Sequence, residues 1–194
     1  MRKSTIQRKT NETDIQLELN LDGRGTYKVK TGVGFFDHML ELFAKHAQID
    51  LTLSCAGDVH VDAHHTVEDC GIVLGEAIKS ALGDKKRIRR YATKFVPMDE
   101  TLMMASLDIS GRPYLAYHVT FLQGKIGDFD AELCEEFFRA VAFHAGITLH
   151  INLQYGSNTH HIIEAAFKAF GQALREAVSI DPDLEGVFST KGVL

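Results

Sequence analysis

Two short segments of the chain share the pattern His-His-x-x-Glu: His64-His65-Thr66-Val67-Glu68 and His160-His161-Ile162-Ile163-Glu164. They stand close to half of the 194-residue chain apart, which makes an internal duplication the first expectation. On a helix, residues i and i+4 share a face. His64 with Glu68, and His160 with Glu164, can therefore each grip one ion. His65 and His161 are rotated by about 100° from their neighbours and more naturally serve a different ion. Two such motifs suggest two metals, with each histidine pair divided between them. A single His-His pair could equally be a polar helix entry or a solvated face, but two copies at matched positions favour ligation. The donors are nitrogen and oxygen without cysteine, which admits manganese, iron, zinc or nickel.

Both motifs open a helical pattern. Val67, Ile72, Leu74, Ala77, Ile78 and Leu82 follow the first, and Ile163, Phe167, Phe170, Leu174 and Val178 follow the second. Upstream, residues 4–9 read as a strand. Thr13–Asp22 alternates Ile15, Leu17, Leu19 and Leu21 with polar residues, a half-buried strand. A turn at Asp22–Gly25 leads to a returning strand, Thr26–Thr31. Phe35–Gln48 is expected as a helix, and Ile49–Ser54 as a strand before the first motif. Gly83-Asp84-Lys85-Lys86 closes the half.

The second half repeats the order: strand Thr101–Ser110, returning strand Tyr114–Phe121, helix Ala131–His144, strand Thr148–Gln154 and the second motif helix. Leu107-Asp108-Ile109-Ser110-Gly111 matches Leu19-Asn20-Leu21-Asp22-Gly23, and His144–Leu149 matches His46–Leu51. The expectation is an α+β fold of two pseudo-symmetric half-domains, each a small, mostly antiparallel sheet with two helices on one face. Residues 1–92 and 93–180 form the repeats, and 181–194 a C-terminal tail. The same alignment places His38 opposite Glu136, adding both as metal donors, and sets Glu12 against Glu100.

Composition is that of an ordinary globular chain, 45% hydrophobic and 24% charged, with net charge −5. Neither charge nor patterning argues for nucleic-acid or membrane binding. No signal peptide or membrane-length apolar run is visible. Three widely spaced cysteines, Cys55, Cys70 and Cys134, argue against a disulfide framework or thiolate zinc site and favour the cytoplasm.

The sequence closely resembles the imidazoleglycerol-phosphate dehydratase family of histidine biosynthesis, over essentially its whole length. The resemblance rests on Arg8–Thr13, Gly34–Leu40, Asp62–Asp69, Pro97–Glu100, Glu135–Phe138, Thr159–Ala165 and Ser189–Gly192. It implies a monofunctional manganese hydro-lyase, with two Mn2+ per active site, that converts D-erythro-imidazole glycerol phosphate to imidazole acetol phosphate and water. It also implies a 24-subunit homo-oligomer with active sites between subunits. The family's metal ligands fall on His38, His64, His65, Glu68, Glu136, His160, His161 and Glu164. Position 136 is histidine in some members. The resemblance places phosphate contacts at Arg90, Arg112, Ser189, Thr190 and Lys191, and a substrate-side residue at His46. Asp99 is expected to hold a site residue by hydrogen bonding.

The reaction needs a base for a weak carbon acid and a way to stabilise an imidazole anion. Two ions split between ring nitrogens would serve the second need, and Glu12 is expected to carry the proton. Glu68 or Glu164 could assist departure of the hydroxyl. Two other readings share these ligands: a two-metal hydrolase of a phosphorylated small molecule, and a metal-storing shell. The storage reading has no use for Glu12 or the phosphate cations.

Overall fold

The computed structural model describes residues 1–120 and 124–194. The first half consists of β1 (Lys3–Lys9), β2 (Thr13–Asn20), β3 (Tyr27–Lys30), α1 (Gly34–Ala47), β4 (Asp50–Gly57) and α2 (His64–Leu82). The second consists of β5 (Tyr91–Met98), β6 (Thr101–Asp108), β7 (Tyr114–His118), a small hairpin of β8 (Lys125–Ile126) and β9 (Phe129–Asp130), α3 (Leu133–Ala145), β10 (Thr148–Tyr155) and α4 (Thr159–Ala177). The two main sheets have matching strand orders, β1-β2-β4-β3 and β5-β6-β10-β7. The α+β architecture of two equivalent halves is thus the one expected.

Strand alternation drives each sheet. Ile15, Leu17 and Leu19 of β2 and Leu51 and Leu53 of β4 are buried, while Asp14, Gln16 and Glu18 face solvent. α2 lies on the β1–β2 side and α4 on β5 and β6. The helices of the two halves then face each other, α2 against α3 and α1 against α4, so one continuous core runs from sheet to sheet. Stacked Phe43 and Phe170, with ring centroids 5.2 Å apart, join α1 to α4. Phe137 and Phe167, 4.9 Å apart, join α3 to α4.

Three details differ from the sequence reading. The strand after each first hairpin does not return alongside its predecessor. β3 pairs in parallel with β4, and β7 in parallel with β10, because the intervening helix reverses the chain before the next strand is laid between. Asp50 fixes this entry in the first half: its carboxylate accepts bonds from the Thr26 hydroxyl (2.6 Å), Arg24 N (2.9 Å) and Thr26 N (3.1 Å). Those bonds hold its pKa well below the usual carboxylate range, with the Thr26 hydroxyl contributing most.

β5 is an additional strand, and it begins at Tyr91, ahead of the expected division at residue 93. Its pattern is mixed: Ala92 and Val96 are buried, but Tyr91 and Phe95 are exposed, and Lys94 points toward the helices, where it pairs with Glu176. The β8–β9 hairpin was likewise not anticipated. The expected end of the seventh strand at Phe121 lies outside the described residues. Among the described residues, no helix is long and apolar enough to cross a membrane.

Candidate active site

α2 begins at the first motif, with the backbone N–H of His64 capped by Asp62 Oδ1 at 2.7 Å. One helical turn aligns His64 Nε2 with Glu68 Oε2 at 3.7 Å. His65 points elsewhere. Its Nδ1 meets Asp58 Oδ2 at 3.0 Å, and its Nε2 stands 3.7 Å from Glu12 Oε1. The Asp58 carboxylate is the main cause of a raised His65 pKa. Both motif histidines remain partly exposed.

α4 is built the same way. The Asn158 side chain caps it, accepting from the backbone N–H groups of His160 (2.9 Å) and His161 (3.3 Å). His160 Nε2 lies 3.2 Å from Glu164 Oε2. Glu164 is buried and also receives Lys168 Nζ on Oε1 at 2.5 Å. Burial pushes its pKa up, but Lys168 and His160 more than offset this and leave it lowered. The ladder therefore extends one turn further than the motif, from 160 through 164 to 168. Phe35 of α1 sets its ring against that of His160, with centroids 5.0 Å apart.

The paired rings repeat closely. His64 and His65 have centroids 6.2 Å apart and planes at 84°; His160 and His161 have 6.1 Å and 82°. Their carboxylate neighbours do not repeat. The equivalent glutamates, each just before a strand, approach opposite nitrogens. Glu12 stands off Nε2 of His65, whereas Glu100 Oε2 lies 2.7 Å from Nδ1 of His161. Glu100 Oε1 also accepts the backbone N–H groups of Asn158 (2.8 Å) and Ser157 (3.3 Å). These contacts, His161 first, depress the Glu100 pKa, and Glu100 in turn raises that of His161. Asp99, the expected holding residue, stands 3.9 Å from Nε2 of His161; it is Glu100 that accepts the hydrogen bond of that ring, at Nδ1.

Glu68 of α2 and Glu136 of α3 line one shallow groove, with Arg139 Nε 3.5 Å from Glu136 Oε2. His38 lies exposed on α1. Among the described residues, no three His, Cys, Asp or Glu side chains of one chain converge on a point that could hold a metal.

Arg90, Arg112, Ser189, Thr190 and Lys191 share one open cleft of about 670 Å3, and none of the candidate metal donors lines it. Arg90 is almost fully buried there. Its guanidinium donates to Asp108 through Nε (2.7 Å) and Nη2 (3.1 Å), and through Nη1 to the carbonyl of Phe188 at 2.7 Å. It therefore ties the C-terminal tail to the second sheet, with N–H groups to spare. Arg112 Nη2 stands 4.0 Å from the same Asp108. His46 lines a second cleft, of about 690 Å3, with Lys45, Arg89 and Arg175. Burial and nearby Lys168 lower its pKa.

Asp58, Asp69, Glu100, Asp108 and Lys168 hold the candidate site residues in place. Lys168 carried a sequence signal in its i+4 step from Glu164, and Glu100 in its match to Glu12, although neither spacing showed what these side chains hold.

Comparison with known proteins follows the same lines. Residues 31–174 match the family model described as imidazoleglycerol-phosphate dehydratase. The chain is 62% identical over 193 residues to the imidazoleglycerol-phosphate dehydratase of Acetivibrio thermocellus, covering 100% of this chain and 99% of that one. It is 63% identical over 187 residues to that of Alkaliphilus metalliredigens, covering 96% of each. Among solved structures, the Staphylococcus aureus dehydratase superposes with a TM-score of 0.84 at 44% identity, over 92% of this chain and 99% of that one. The Pyrococcus furiosus protein gives a TM-score of 0.84 at 38% identity, over 97% and 100%.

Proposed function

The chain belongs to the imidazoleglycerol-phosphate dehydratase family, hydro-lyases of histidine biosynthesis, and from that membership we propose that it dehydrates D-erythro-imidazole glycerol phosphate to imidazole acetol phosphate on two Mn2+ ions per active site. The observation that best supports this reading is the repeated ladder of His Nε2 and Glu Oε2, at 3.7 Å on α2 and 3.2 Å on α4, with a solvent-facing glutamate beside the first.

The two molecules differ in a way that fixes which atoms move. The hydroxyl leaves from the carbon bearing the ring, a proton leaves from the next carbon, and the resulting enol becomes the ketone. The carbon is a weak acid, so its base must be held close. Glu12 suits the task, because among the described residues its carboxylate makes no hydrogen bond while its backbone is fixed: its N–H donates to Thr10 Oγ1 at 3.1 Å and its carbonyl accepts from Asp58 N at 3.1 Å. It would take the carbon's proton across a contact of about 2.6–3.2 Å. Glu68 and Glu164 lie on the ladders, within reach of the departing hydroxyl on this reading. Arg90, Arg112, Ser189, Thr190 and Lys191 would hold the phosphate, arginine through its planar fork, with His46 on the substrate side.

The donor set fits manganese: His38, His64, His65, His160 and His161 supply nitrogen, and Glu68, Glu136 and Glu164 supply oxygen. The carboxylates on Nδ1 of His65 and His161 leave Nε2 as the outward atom of each ring, the arrangement found behind metal-bound histidines. When bound, the ions would supply positive charge at the imidazole ring and favour its anion. Each ladder offers two donors, fewer than the roughly four to six such an ion takes. That shortfall, and the separate phosphate cleft, support a homo-oligomer, a 24-mer on family grounds, with sites completed between copies. Three buried, unpaired thiols fit residence in the cytoplasm.

Glu12→Gln tests the chemistry. It should retain manganese content and lose turnover; an active Glu12→Gln enzyme would sink the assignment.

A further inference from the structure

Asp69 follows the first motif, is buried, and points at the hairpin that carries Glu12. One carboxylate oxygen accepts from Arg8 Nε at 3.1 Å, and the other from the Thr13 hydroxyl at 2.5 Å. Arg8 lies near the end of β1 and Thr13 opens β2, so a single side chain pins both arms of the turn to α2. Within the turn, Thr13 N donates to Thr10 Oγ1 at 3.0 Å, and Thr10 N to the Thr13 carbonyl at 2.9 Å.

The second half provides a natural comparison. By strand register, Thr101 stands where Thr13 does, and Val96 where Arg8 does. By motif alignment, Ala165 stands where Asp69 does. With alanine instead of a carboxylate at that helix position, the Thr101 hydroxyl turns to Glu100 Oε1 at 3.1 Å. Glu100 is then engaged by Thr101, by the start of α4 and by His161. In the first half, Asp69 takes the threonine hydroxyl, and among the described residues the Glu12 carboxylate has no polar partner nearer than His65 Nε2 at 3.7 Å.

We propose that Asp69 is a positioning residue for Glu12: by binding Arg8 and the Thr13 hydroxyl it fixes the hairpin on α2 and keeps the Glu12 carboxylate free to act. The exchange of Asp69 for Ala165, and of Arg8 for Val96, explains why one of two equivalent glutamates serves chemistry and the other serves structure. The inference rests on Glu12 as the proton carrier.

The test uses the assembled, manganese-loaded enzyme with Thr13→Val, Thr13→Ser, Asp69→Ala and Glu12→Gln. Displacing a catalytic group by about 1 Å can cost about 100-fold in rate. Thr13→Val should therefore lower kcat 10- to 100-fold, with KM and bound manganese near wild type, and Thr13→Ser should restore kcat. Asp69→Ala should lose at least as much wherever it folds; Thr13→Val keeps the test open if it does not. Wild-type kcat in folded Thr13→Val, or a Thr13→Ser that fails to restore it, overturns the proposal. Inactive Glu12→Gln beside fully active Thr13→Val defeats this inference alone, whereas active Glu12→Gln defeats the reading beneath it.

Discussion

Behind His65 and His161 stands a carboxylate on Nδ1, Asp58 at 3.0 Å and Glu100 at 2.7 Å. An acceptor there holds the proton on Nδ1, sets the plane of the ring and leaves Nε2 with its lone pair outward. The motif spacing in the sequence was enough to place both histidines at the start of a helix and to pair His64 with Glu68. It could not identify the supporting carboxylates, because Asp58 follows the end of one strand and Glu100 sits in a two-strand turn far from its histidine in sequence. Their roles exist only once the sheets bring those turns to the helix entries. Glu100→Ala removes the acceptor from His161 and should weaken manganese binding about 10- to 100-fold, measured by equilibrium dialysis. Unchanged affinity in the folded variant would show that His161 needs no such support, or is not a ligand.

At the scale of elements, the helices that carry the candidate site pack through glycine. A Cβ on Gly75 of α2 would come within 2.8 Å of the Val141 carbonyl and 2.9 Å of Ala145 N on α3, and one on Gly71 within 2.9 Å of the Phe137 carbonyl. Gly171 of α4 meets the Phe43 carbonyl of α1 at 2.9 Å in the same way. These atoms are backbone and cannot step aside without moving a helix. Gly75→Ala should thus destabilise by about 1–3 kcal/mol through overpacking, although alanine is intrinsically favoured in a helix by about 1 kcal/mol. Urea unfolding would show the midpoint fall; a higher midpoint would contradict the close packing. The helices were readable because their apolar stripes have the right period over many residues. β5 was not, because its exposed face holds Tyr91 and Phe95 while Lys94 shares the inward face with Ala92 and Val96, which blurs the alternation. The parallel pairing of β3 with β4 was also hidden, since alternation says which face is buried and not which neighbour is joined.

The whole molecule is a duplicated unit whose copies have diverged in their carboxylates while keeping their frame. Sheet, helix pair, helix pair and sheet stack in that order, and the two histidine ladders begin at equivalent helix entries. On the proposed reading, each ladder contributes part of a metal site and the tail cleft contributes the phosphate contacts, so function belongs to the assembly. The most direct test is dehydration of imidazole glycerol phosphate by metal-stripped protein, assayed with and without added Mn2+. The account predicts imidazole acetol phosphate only when manganese is restored. Full activity in the stripped protein, or none with manganese in a correctly assembled one, would contradict it.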